Sequence, residues 1–128
     1  LYFWPPGPLE AGRTTISLLP GLVELDQASN IVLRILTLEC VQLTAVNVIG
    51  CENVRIVGCV IRNVGSWAVR IQDAVHSGVV GCDIYDTGDG GISLSGGDRR
   101  TLTPASMRVT SSPCPASARP IPCRGQEV

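Results

Sequence analysis

Residues 30–52 (NIVLRILTLECVQLTAVNVIGCE), 53–75 (NVRIVGCVIRNVGSWAVRIQDAV) and 76–98 (HSGVVGCDIYDTGDGGISLSGGD) align with one another without a gap, a repeat of 23 residues. Equivalent positions carry equivalent chemistry. Leu33, Ile56 and Val79 share one column, Leu38, Ile61 and Ile84 a second, Val46, Val69 and Ile92 a third, and Val48, Ile71 and Leu94 a fourth. Counting back one further period adds Val23 and Leu25 to the last two, so a partial copy precedes Asn30. Within each copy the apolar residues alternate, as in Cys59-x-Ile61 and Val69-x-Ile71, and Gly58, Gly65, Gly81, Gly88, Gly90 and Gly91 separate the short runs. Period two with glycine punctuation encodes strands and tight turns, not helices. So short a unit cannot cover its own apolar face and must stack on copies of itself. In-register stacking sets equivalent residues about 4.8 Å apart and turns each column into an internal ladder. The repeat therefore predicts an all-β chain folded as a parallel β-helix, a solenoid of about four coils over residues 22–104. A β-sandwich fits less well, because it needs reversing hairpins and has no fixed long period.

The composition of the 128 residues agrees. Proline occurs at 5, 6, 8, 20, 104, 113, 115, 120 and 122 and nowhere between, as continuous central strands require of their backbone donors. Aromatics make up 4% while aliphatic residues abound, which suits a core of aliphatic layers. A formal net charge of −1 excludes the one-signed surface of a nucleic-acid binder. No apolar run reaches about 18 residues, so no membrane span is expected, and residues 1–20 lack signal-peptide character. All ten basic residues are arginine.

The phrases Asn53-Val-Arg-Ile-Val-Gly-Cys-Val-Ile-Arg-Asn63 and Val80-Gly-Cys-Asp-Ile-Tyr-Asp-Thr-Gly-Asp-Gly-Gly-Ile-Ser-Leu-Ser-Gly-Gly-Asp98 resemble right-handed parallel β-helix repeat proteins of the pectin-lyase-like superfamily. Leu1-Tyr-Phe-Trp-Pro-Pro-Gly-Pro8 resembles a segment preceding the helix in large bacterial members that act on carbohydrate. The resemblance covers roughly residues 1–104 and implies a right-handed coil. It is less specific for activity, since the superfamily hosts lyases, hydrolases, epimerases and inert adhesins. It implies a piece of a larger protein, secreted, periplasmic or on the cell surface, with a polysaccharide substrate and further coils of the parent as partners.

One group of side chains has catalytic promise. Asp83, Asp86, Asp89 and Asp98 fall in a single copy, whereas the copy before it has only Asp73. With Ile84 inward, Asp83 lies outward, and Asp86 and Asp89 follow in the turn. Two carboxylates on a groove can cleave a glycosidic bond, their separation deciding between inversion and retention. Asp83, Asp86 and Asp89 are thus the expected catalytic residues. Arg99 and Arg100 could bind a sugar carboxylate with their planar forks, Asp98 could join them, and Trp67 could stack on a sugar ring or cover a turn. Turns use Asp and Gly in any case, so the same residues suit a non-catalytic structural or carbohydrate-binding solenoid. A polysaccharide lyase is the third reading. It would need Arg99 or Arg100 as base, because the chain has no lysine.

No metal site is expected from the ligand spacing, a lone histidine with no CxxC pair being insufficient for zinc. The uronate lyases of the superfamily often use calcium, and Asp86, Asp89 and Asp98 would be the carboxylates to hold it here, although the EF-hand spacing is not met. Cys59 and Cys82 share a column and read as a ladder of buried thiols in preference to a disulfide or metal pair. Asn30 and Asn53 open their copies and are expected to form an amide ladder at a turn, a column that His76 and then Arg99 continue. Leu102 and Met107 fall at the 23-residue spacing from Val79 and Ile84, but Val109 onward fits no strand pattern. Residues 1–21 are expected to lead into the coils. Residues 105–128 are expected to form an irregular or disordered tail, whose Pro, Ala, Arg and Cys content is that of GC-rich codons read out of frame.

Overall fold

The computed structural model describes residues 16–97 and 104–110. Each repeat supplies three strands of three, five and six residues, and each stacks on its equivalent in the next repeat. In chain order they are β1 (Gly21–Asp26), β2 (Val32–Arg34), β3 (Thr37–Val41), β4 (Thr44–Ile49), β5 (Arg55–Val57), β6 (Val60–Val64), β7 (Trp67–Gln72), β8 (Gly78–Val80), β9 (Asp83–Thr87), β10 (Gly90–Ser95) and β11 (Arg108–Thr110). They form three parallel sheets in the orders β1-β4-β7-β10, β2-β5-β8-β11 and β3-β6-β9. The chain is thus a parallel β-solenoid of about three turns. Three complete three-sided turns are flanked by one side at either end, β1 before and β11 after. No described element is a helix, so no described helix could cross a membrane.

The ladders foreseen from the columns are the observed register: Leu33 pairs with Ile56 and Ile56 with Val79, Leu38 with Ile61 and Ile61 with Ile84, and Val46 with Val69. Ile56, Ile61, Val69 and Ile71 of the middle turn are 0% exposed. Their neighbours Leu38 and Ile84 are only partly buried, because an outer turn has a neighbour on one side instead of two. Burial therefore peaks in the middle of the stack and falls toward its ends.

Four positions per turn bend the backbone through the left-handed region. They are the columns of Gln27, Gly50 and Asp73; of Asn30, Asn53, His76 and Ser106; of Ile35, Gly58 and Gly81; and of Cys40, Asn63 and Asp86. Glycine, asparagine and aspartate hold that region at low cost, which explains most of these choices. Ile35 is the outlier, a β-branched residue at φ 53° and 78% exposed, so it carries the backbone strain without gaining much burial. Ile35→Asn is expected to stabilise the solenoid by about 1 kcal/mol. Thermal unfolding checks this, and a lowered midpoint would contradict the strain argument.

The last coil corrects the sequence-based register. β11 pairs with β8 as Arg108↔Gly78, Val109↔Val79 and Thr110↔Val80, a spacing of thirty residues, seven more than the repeat. Val109 therefore occupies the position expected for Leu102, and Val109-Thr110 is strand where no strand was foreseen. Likewise the His76 amide donates to Ala105 O, and Ser106, with φ 49°, takes the left-handed corner expected for Arg99. The chain between Ser95, still in register with Gln72, and Ala105 absorbs the extra residues. A fixed period counted along the sequence cannot register such an insertion, whereas the backbone bonds of a new rung can form on either side of it.

Candidate functional site

Asp83, Asp86 and Asp89 of the third copy sit on and beside the outer face of the β3-β6-β9 sheet. On that face Glu39, Arg62 and Tyr85 stand in one column, since β6 pairs with both neighbours as Glu39↔Arg62 and Arg62↔Tyr85. Arg62 Nε donates to Glu39 Oε2 at 2.6 Å, and Arg62 Nη1 donates to the Tyr85 hydroxyl at 3.2 Å. The bonds to Tyr85 and to Glu39 hold the exposed Arg62 guanidinium above its ordinary pKa. Asp83 is exposed on the same strand as Tyr85, at the register of Val60.

Asp86 and Asp89 are placed by turn geometry. Asp86 has φ 53° and continues the left-handed corner of Cys40 and Asn63, where aspartate is tolerated because its short polar side chain suits that conformation. It borders a shallow groove at the edge of the sheet, lined also by Val41, Gln42, Asn63, Gly65 and Gly88. Asp86 is the one carboxylate among the described residues lining that groove. Asp89 accepts a 2.5 Å hydrogen bond from Ser66 Oγ, which ties the turn before β10 to the equivalent turn of the preceding coil. Asp98, Arg99 and Arg100 lie outside the described residues. Among the described residues no three His, Cys, Asp or Glu side chains gather closely enough to hold a metal ion.

Trp67, at the start of β7, is half-buried, and its ring lies over the Cα of Gly90. A Cβ built on Gly90 would stand 2.5 Å from Trp67 Cζ3, so the ring occupies the space that a side chain on the next rung would need. Of its two foreseen roles, covering the coil is the one these contacts describe.

The cysteines form the foreseen thiol ladder. Cys40, Cys51, Cys59 and Cys82 are free; Cys114 and Cys123 lie outside the described residues. Cys59 Sγ lies 3.7 Å from Leu33 O, and Cys82 Sγ lies 3.5 Å from Ile56 O, so each thiol reaches a carbonyl of the preceding coil. Burial pushes the Cys82 thiol pKa up. Cys51 is buried and sits 3.2 Å from Ile49 O while accepting from the Ala28 amide. The asparagine ladder is also present, Asn53 Nδ2 donating to Asn30 Oδ1 at 2.7 Å.

Reading along the columns missed one arrangement. On the outer face of the β2-β5-β8-β11 sheet, Arg55 and Arg108 flank Gly78 from the rungs on either side. Only the thirty-residue register brings Arg108 there, so counting by 23 could not find it. Comparison of the chain with models of known families, with curated proteins and with solved structures finds no match in any of the three.

Proposed function

We propose that the chain is part of an extracellular protein of the pectin-lyase-like kind that handles polysaccharide, and that these coils bind the glycan in preference to cleaving it. The observation that carries the binding reading is the placement of the acids. Asp89 is engaged by Ser66, and Asp86 is the single described carboxylate on its groove, whereas glycoside hydrolysis ordinarily requires two carboxylates facing one bond. The sheet beside the groove presents a hydrogen-bonded row of Glu39, Arg62 and Tyr85, polar groups and an aromatic ring of the kind that binds sugars. Flat faces with rungs about 4.8 Å apart suit an extended polymer lying along the stack. Further coils of a parent protein would lengthen that surface.

Hydrolysis is the second reading, favoured by Asp83 and Asp86, two exposed carboxylates on one strand. A polysaccharide panel separates the two when retention of the protein and release of reducing ends are both measured. Binding predicts retention on at least one polymer without new reducing ends, and several-fold weaker retention in Arg62→Gln. Turnover that is lost in Asp83→Asn or Asp86→Asn would replace binding by hydrolysis. Absence of both retention and turnover would remove the polysaccharide reading.

A further inference from the structure

We infer that the cleft on the outer face of the β2-β5-β8-β11 sheet, between Arg55 and Arg108, is a binding site for a tetrahedral oxyanion, a sulfate or phosphate group. The cleft, of about 510 Å³, is lined by Arg55, His76, Gly78, Ser106, Arg108 and Thr110 among others, and no acidic residue among the described residues lines it. Arg55 and Arg108 each pair in register with Gly78, one from β5 and one from β11, so their Cα atoms stand about two rungs, roughly 9.6 Å, apart. Between them Gly78 contributes no side chain, and none can be added there. A Cβ on Gly78 would stand 2.5 Å from the backbone oxygen of Arg108, so a bulkier residue cannot fill the space without displacing the rung. The outer face thus carries an arginine on either side of a residue that must lack a side chain, and both arginines line the cleft.

The ion pair seen among the described residues, Arg62 with Glu39, involves neither arginine. Two guanidinium groups lining one cleft repel each other, and an anion in the cleft relieves the repulsion while accepting from both. A carboxylate keeps its lone pairs in one plane, so it meets two forks only where both lie in that plane. A tetrahedral oxyanion presents separate pairs of oxygens and can satisfy both forks at once, with the Ser106 and Thr110 hydroxyls and the His76 imidazole at the margins. His76 is exposed at its corner, and the asparagine ladder that bonds Asn53 to Asn30 has no counterpart from Asn53 to His76, which leaves the imidazole available to the cleft. Ser77, beside them, is committed elsewhere: its hydroxyl accepts from the Val54 amide and donates to Val75 O.

The site stands apart from the polysaccharide reading, although an ester group on a polymer and a free ion share its chemistry. Titration of the whole chain with sodium sulfate at constant ionic strength, with chloride as the competing ion, tests the site itself. Saturable sulfate binding is expected, at least tenfold weaker in Arg55→Gln and in Arg108→Gln. Arg55 lies in the middle of the stack, so Arg55→Gln keeps the test valid should Arg108→Gln detach β11, and far-UV circular dichroism verifies the fold of both. Sulfate held no better than chloride, or held equally by folded Arg55→Gln, overturns the inference. A sulfated polysaccharide and its desulfated counterpart then identify the source. Retention of the sulfated polymer alone supports an ester-bearing glycan as ligand. Binding of inorganic sulfate without either polymer supports a site for the free ion, and the glycan reading then stands or falls by its own panel.

Discussion

Gly65→Ala is expected to destabilise the solenoid by about 3 kcal/mol or more, against about 1 kcal/mol for Gly58→Ala. The two glycines look alike in sequence and are required for different reasons. Gly58 has φ +60° and a Cβ there would meet nothing within 4 Å, so its replacement costs only the strain of a left-handed alanine. Gly65 has ordinary backbone angles, but a Cβ on it would collide with the main-chain carbonyl of Gln42 on the rung before. A backbone carbonyl cannot swing aside as a side-chain tip can, so the corner must open. The Gly65 amide bonds Val41 O at 3.0 Å in that same corner, and Gly88 packs on Gly65 as Gly65 packs on Gln42. Displacement at one rung is therefore passed to the next. Urea unfolding of the two variants checks the ranking; equal losses would show that the corner spacing is looser than the structure has it.

Ile61→Ala is expected to cost about 2–5 kcal/mol, the range for emptying a buried isoleucine site. Ile61 is 0% exposed and stacks between Leu38 and Ile84, in the turn that has neighbours on both sides. Its cavity cannot close by collapse, because the rungs above and below are held at the spacing set by their backbone hydrogen bonds. Against a total of about 5–15 kcal/mol for an ordinary domain, that loss is large. The same change at Leu43, which is 53% exposed, is expected to cost under about 1 kcal/mol. Chemical denaturation of both variants tests the contrast between an inward column and an exposed corner, and a similar loss at the two sites would contradict it.

The acids of the third copy show how far a column argument reaches. Alternation places Asp83 outward through Ile84, and the structure agrees, since the pairing of Ile61 with Ile84 keeps that side inward. Alternation is silent on Asp86 and Asp89, which lie in turns. Asp86 is there because a left-handed corner needs such a residue, and Asp89 because Ser66 of the preceding coil stands within hydrogen-bonding reach. Neither reason is visible within one copy. The Ser66–Asp89 and Asn30–Asn53 bonds both join residues 23 apart, so a polar pair across rungs becomes legible only after the stacking is accepted. Trp67 is similar: its fit over Gly90 could be suspected from their shared column, but the direction of the ring could not.

The sequence by itself determined the repeat, the parallel stacking and the membership of the inward columns, because a gapless period with alternating aliphatic residues admits one economical way to bury them. It also marked the thiol and asparagine ladders, which follow from identical residues in one column. Three things were decided only by the tertiary structure. The packing of one rung on another distinguishes the glycine needed for its backbone angle from the glycine needed for space. The backbone bonding partners of β8 show that the next rung is Arg108–Thr110, beyond seven extra residues that a fixed count carries out of step. That shift brings Arg108 opposite Arg55 across Gly78, and the cleft between them depends on distances through space that no spacing along the chain records.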